Sequence, residues 1–317
     1  MAVYAMRRIL LVVPTLFALS VLLFVVIRVL PPDDAIELQL DERARGDAQV
    51  KASLMQYFGL HQPLWRQYTD WAGGLLRGDL GISLNSRRPI RDELASRIPV
   101  SFELSLIGLF VTWVVSFPLG VLSAVYQDRL PDYLLCTSAY LLDAIPSFVI
   151  ATLVITYLAV YFTWAPPVKF TYLWDDPIGY LKIMLLPILI IGIGAAGNLV
   201  RFTRTFLLEV LRQDYVRSAR AKGLSERTVL RRHALRNLAL PFVTVIGATI
   251  PTLLTSSVII ERLFNLPGMG RYLVTAVSQL DYPVIQSTTM LFAVLILTSQ
   301  LITDLSYTWL DPRVSYK

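Results

Sequence analysis

Six stretches of this 317-residue chain run without a single Asp, Glu, Lys or Arg: Ile9–Ile27, Leu104–Tyr126, Ala144–Val168, Ile183–Val200, Asn237–Ile260 and Tyr282–Thr303. The third extends back through Asp143 to about Tyr133. A helix of about 20 apolar residues crosses the ~30 Å hydrocarbon core of a bilayer. It also satisfies its own backbone hydrogen bonds there, which open strands cannot. The stretches therefore predict an all-α integral membrane protein with six transmembrane helices. Composition agrees, since 55% of residues are hydrophobic and 16% charged, against about 25% charged in soluble domains. Mean hydropathy is +0.57. Alternating ten-residue segments of a membrane barrel are not seen.

Cysteine and histidine narrow the chemistry. The one cysteine, Cys136, excludes an internal disulfide and a cysteine metal cluster. His61 and His233 lie far apart with no second ligand at useful spacing, so no metal site is expected. Arg7 and Arg8 precede the first stretch, whose apolar run exceeds the roughly 7–15 residues of a signal peptide. No small-residue cleavage site follows. A retained anchor is the expectation.

Charge placement sets the orientation. Arg201 to Asn237 holds nine arginines and one lysine against Glu209, Asp214 and Glu226. The short Trp164–Lys182 and Glu261–Asp281 connections hold two basic residues each. Basic short loops stay in the cytoplasm, which with six spans places both termini inside and residues 31–100 outside. That outer segment carries nine basic and ten acidic residues and is long enough to translocate regardless of charge. Within it, KASLMQYFGLHQPLWRQYTDWAGGLL has apolar residues at three- and four-residue steps, as short amphipathic helices do. GDLGISLNSRRPIRDELASRIPVS follows with a turn, an extended piece and a helix leading to the second span. The segment reads either as a cap over helix ends or as a docking or gating surface.

The basic segment is the most informative. Phe206, Leu207, Val210, Leu211, Tyr215 and Ala219 recur at helical spacing. Gly223 ends that helix, because glycine accepts a left-handed backbone at little cost. Ser225 then fits as the N-cap of a second helix, with Glu226 in its first turn. Arginines beside a bilayer also attract anionic lipid, which explains the charge. It does not explain a helix, a glycine turn and a helix joined directly to a membrane span. That arrangement suits a mechanical contact with a partner.

DYVRSARAKGLSERTVLRRHALRNLALPFVTVIG resembles the cytoplasmic signature of binding-protein-dependent ABC transporter permeases, and among them the dipeptide/oligopeptide/nickel family. In the general signature Glu-Ala-Ala precedes a glycine after three residues. Ala219 and Gly223 match, while Arg217 and Ser218 replace the Glu and the first Ala, a substitution common in the peptide branch. MRRILLVVPTLFALSVLLFVVIRVLP, FGLHQPLWRQYTDWAGGLLRGDLGISL, RIPVSFELSL, VIIERLFNLPGMGRYLVTAVSQLDYPVIQ and DLSYTWLDPRVSY resemble other parts of the same family. The large insert after the first span is similar to that of the first of two paired permease subunits.

The resemblance implies a type I ABC importer permease fold. Residues 1–30 would be the anchor helix, 31–100 an extracytoplasmic insert, 101–310 the permease core with its coupling segment at 206–237, and 311–317 a cytoplasmic tail. It implies a bacterial inner-membrane protein importing di- or oligopeptides, with nickel complexes, opines or oligosaccharides as alternatives. Partners would be a second homologous permease subunit, two ATPase subunits, an extracytoplasmic binding protein and membrane lipid, with no nucleic acid. The sequence lacks a G-x-x-x-x-G-K-[ST] phosphate loop, so no catalytic residue and no cofactor is expected in this chain. ATP and Mg would be bound by the partner ATPases.

Asp214, Tyr215, Arg217, Ala219, Arg220, Lys222, Gly223 and Leu224 would form the ATPase-coupling surface. Gly223 would set the turn, Tyr215, Ala219 and Leu224 would pack, and the basic side chains would add electrostatic fit. Asp143, an ionisable residue within the third span, is a pathway candidate or a helix-packing residue. Glu261 and Arg262 are candidates for an outer gate or ordinary interfacial anchors. Pro146, Pro187 and Pro251 are candidate kinks, and Gly192, Gly194 and Gly197 permit close helix approach. A self-sufficient carrier would show broken-helix repeats with midplane ion ligands, and a membrane enzyme would show a nucleophile near His233. Neither pattern is seen.

Overall fold

The computed structural model describes residues 2–29 and 62–310. The first part of the expected amphipathic insert, 51–61, and the tail 311–317 lie outside the described residues. Eleven helices are named here: α1 (Ala2–Val29), α2 (Leu64–Leu76), α3 (Ile90–Val125), α4 (Leu130–Ala144), α5 (Ser147–Phe162), α6 (Pro177–Gly194), α7 (Ala196–Leu211), α8 (Asp214–Ala221), α9 (Leu235–Leu263), α10 (Met269–Ser278) and α11 (Tyr282–Leu310). A helical turn at Glu226–Thr228 and a π turn at Val229–Ala234 lead into α9. Among the described residues, β pairing is limited to one bridge between Ile82 and Pro89.

Among the described residues, five helices (α1, α3, α6, α9 and α11) are long and apolar enough to cross a membrane, and α4 with α5 makes a sixth if that bent pair is one span. The expected third span is therefore not a straight helix. Its two halves meet at 92°. The cause is local: Pro146 has no N–H and crowds the residue before it, and Ile145 accordingly takes an extended backbone, φ −99° and ψ 115°. The fourth span also shifts from its charge-free run. It starts at Pro177, where the Asp176 carboxylate accepts N–H bonds from Ile178 (3.1 Å) and Gly179 (3.0 Å), and it stops at Gly194.

The chain divides into two compact units. One holds Ser101–Leu266 and the chain from Thr298 onward. On α3, Ser101, Ser105, Gly108, Thr112, Ser116, Gly120 and Ser123 recur at three- and four-residue steps, and all are buried. Small side chains let neighbouring backbones approach. Thus Thr112 Oγ1 donates to the Gly192 carbonyl of α6 at 2.8 Å. A Cβ on Gly192 would stand 2.7 Å from Val111 Cβ, and one on Gly120 would stand 2.5 Å from Thr203 Cβ of α7.

The other unit holds Ala2–Val100 and Pro267–Leu297. Here α2 lies against α1: the Tyr68 hydroxyl and Ser20 Oγ are 2.8 Å apart, and Phe24 meets the Tyr68 ring edge to face at 5.4 Å. The chain then turns through Gly78 and Gly81 to Ser83, whose hydroxyl donates to buried Asp281 at 2.6 Å. Ser287 Oγ donates to the Leu80 carbonyl at 2.8 Å. The loop before α3 is thereby fastened to the start of α11.

Candidate coupling site

The part of the basic segment that precedes Gly223 folds as two helices where one was expected. α7 ends at Leu211, Gln213 is extended (φ −69°, ψ 148°), and α8 begins at Asp214. The break re-aims the apolar positions. Val216 is 0% exposed and packs with Ala219 and Val229, Leu211 covering them. The buried face of α8 is therefore Val216 and Ala219, while Tyr215 and Leu224 remain 43% and 40% exposed. Ala219 belongs to the chain's own core, and Tyr215 and Leu224 stand outward.

The glycine turn has the geometry expected of it. Gly223 has φ +78°. Its N–H donates to the Arg220 carbonyl at 2.9 Å, and the Leu224 N–H reaches back to the Ala219 carbonyl at 3.3 Å. This is the paired pattern that closes a helix on a left-handed glycine. No atom lies within 4 Å of where a Cβ would be, so glycine is required by backbone angle and not by space. Across the turn, Arg220 grips Glu226 with two bonds of 2.7 and 3.1 Å. Asn237 Nδ2 donates to the Tyr215 hydroxyl and to the His233 carbonyl, both at 2.8 Å. Ser225 caps the next turn through its backbone carbonyl, while its hydroxyl pairs with Thr228 Oγ1 at 2.9 Å. Asp214, Arg217 and Lys222 are exposed. The result is a short helix held at both ends, presenting a mixed polar and apolar outer face.

Behind it lies a charged node that sequence reasoning missed. Asp132 of α4 is 1% exposed. It accepts a two-point contact from Arg204 of α7, Nε to Oδ1 and Nη2 to Oδ2, both 2.7 Å. Ser123 Oγ of α3 donates to it at 2.5 Å and the Asp128 N–H at 3.0 Å. One turn away, Arg201 pairs with Asp143 at 2.6 Å and lies over the Tyr140 ring at 4.5 Å. Asp143 thus forms an ion pair between α4 and α7. Gly197 seats the α7 backbone against the Ala139 carbonyl. The signal was a carboxylate among apolar helix residues (LPDYLL) plus two arginines three apart on α7. Neither is decisive until the helices are paired.

Glu261 and Arg262 separate: Glu261 is buried at the end of α9 and Arg262 is exposed. In the unit containing α10, a cavity of about 320 Å³ is lined by residues including Asn85, Glu93, Arg97, Arg271, Tyr272 and Gln279. Arg97 pairs with Glu93 at 2.5 Å and lies over the Tyr272 ring at 4.4 Å. Burial, with Glu93 nearby, pushes the Tyr272 hydroxyl up to about 12, so the ring stays neutral beneath the guanidinium. Among the described residues, no group of His, Cys, Asp and Glu is arranged to hold a metal ion.

Known proteins share this architecture. The family model described as "Binding-protein-dependent transport system inner membrane component" matches residues 116–316. The glutathione transport system permease protein GsiC of Escherichia coli strain K12 is 38% identical over 316 residues, covering 99% of each chain. GsiC of Shigella dysenteriae serotype 1 (strain Sd197) is similar to the same degree, 38% over 316 residues. Among solved structures, a chain of the MetNI methionine ABC transporter in an inward-facing conformation superposes with a TM-score of 0.58 at 17% identity. That match covers 70% of this chain and 98% of that one, and carries the fold alone.

Proposed function

The chain belongs to the family of binding-protein-dependent transport system inner membrane components and has the type I ABC importer permease fold, and from that premise we propose that it forms a peptide translocation path driven through α8 by separate ATPases. The observation that carries this reading is α8 itself. It is a short helix, closed by a left-handed glycine, pinned through Arg220–Glu226 and Asn237–Tyr215, and exposing Asp214, Tyr215, Arg217, Lys222 and Leu224. A surface helix so firmly held suits a partner that pushes on it.

In this reading a second permease subunit completes the path, two ATPase subunits bind ATP and Mg, and a binding protein delivers substrate from outside. The basic segment faces the cytoplasm with both termini, and residues 31–100 lie on the outer side. Asp143 serves helix packing, and the buried Glu261 and exposed Arg262 belong to the outer end of α9. Because the relatives named above transport glutathione, small peptides of that tripeptide class are the proposed substrates.

Cross-linking tests the coupling surface. In a Cys136→Ser background, Arg217→Cys and Leu224→Cys should each cross-link to a co-expressed ATPase subunit. Val216→Cys, at a fully buried position, should not. Equal labelling at all three positions, or none at any, contradicts the assignment.

A further inference from the structure

The Asp132 node ties together the segments that a displacement of α8 would have to move. Arg204 stands on α7, two turns before the helix ends at Leu211, and Leu211 covers the Val216–Ala219–Val229 cluster that holds α8. Arg220 of α8 also donates to the Leu211 carbonyl at 3.5 Å. On the other side, Asp132 belongs to α4, which runs to the 92° bend into α5. Ser123 adds α3, and the Asp128 N–H adds the α3–α4 turn. A carboxylate removed from water is costly unless it is paired and fully hydrogen-bonded, and here both oxygens are occupied. The planar guanidinium grips it at two points, fixing angle as well as distance.

We propose that the Asp132–Arg204 pair is the joint that carries displacement of α8 through α7 into α4 and its bend. Both are positioning residues for coupled transport, acting through the helices and not through substrate. Gly197 on Ala139 and Arg201 on Asp143 and Tyr140 add contact along the same helix pair. None of those fixes relative angle as a buried two-point contact does. This inference rests on the reading of α8 as the ATPase contact.

The test separates coupling from folding. Removing one partner leaves an uncompensated buried charge, so a single deletion risks misfolding. The paired variant Asp132→Asn with Arg204→Met leaves no orphan charge and keeps acceptor and stem volume. Arg204→Lys keeps the charge but offers a point contact in place of the fork. Each would be reconstituted in proteoliposomes with the second permease subunit, the ATPases and the binding protein. Labelled glutathione uptake and ATP hydrolysis would then be measured together.

We expect assembly and stimulated hydrolysis to persist in both variants while uptake per ATP falls, by roughly tenfold in the paired variant and less in Arg204→Lys. An assembled paired variant with the native ratio overturns the proposal. If the paired variant does not assemble, Arg204→Lys decides: a lowered ratio supports the joint, a native ratio rejects it. A native chain that binds no ATPase instead overturns the underlying reading of α8, a different result from intact coupling without the fork.

Discussion

At Gly223 the backbone alone dictates the residue. With φ at +78° and no atom within 4 Å of a Cβ position, a side chain meets no clash and bears only the left-handed conformation, about 1–2 kcal/mol for an ordinary L-residue. Asparagine tolerates that region better than a β-branched residue. Gly223→Asn should therefore keep the Leu224–Ala219 closure, and Gly223→Val should loosen it. Trypsin reads the difference, because Arg220 and Lys222 lie in the closed turn and Arg217 in the helix before it. Faster cleavage there in Gly223→Val than in Gly223→Asn is expected, and equal rates would show that the turn does not depend on its glycine. This residue was legible from sequence because the requirement is local. Tyr215, Ala219 and Leu224 were placed less well, since which of them faces outward depends on the break at Gln213, where no glycine or proline marks the chain.

Among elements, close approach explains which glycines matter. Gly192, Gly194 and Gly197 looked alike in sequence, yet they differ sharply in place. A Cβ on Gly192 would lie 2.7 Å from Val111 Cβ and 2.8 Å from the Gly108 carbonyl, whereas one on Gly194 would meet only Ser147 Cβ at 3.5 Å. Overpacking of this kind costs typically ~1–3 kcal/mol. Gly192→Ala should lower thermal stability in detergent by that order, and Gly194→Ala should leave it near native. The reverse order would contradict the α3–α6 packing. The buried Ser–Gly–Thr stripe of α3 and the Asp132–Arg204 pair were not read from sequence for the same reason. Each is a relation between helices far apart in the chain, and a serine or arginine carries no mark of its partner. Charge-free runs gave the helices themselves, because spanning imposes length. They did not give the 92° bend, since a proline in such a run is compatible with a kink, a cap or a break.

In the whole molecule, apolar helices long enough to span a membrane accompany a short helix that is exposed, capped and pinned. The family match over residues 116–316 and 38% identity along nearly the full chain place it among membrane permeases. In the proposed reading, energy input comes from separate ATPase partners. Differential binding of those partners to two states of the permease is what would move it. Substrate class was the least legible part of the sequence, because in the proposed reading a separate binding protein recognises the cargo, which would leave little imprint on this chain. The most direct test is ATP hydrolysis by the purified assembly in lipid, with and without binding protein loaded with glutathione. The account predicts that the loaded binding protein stimulates hydrolysis and that Gly223→Val, assembled to the native level, loses most of that stimulation. A native chain that recruits no ATPase and takes up peptide on an ion gradient alone would contradict it.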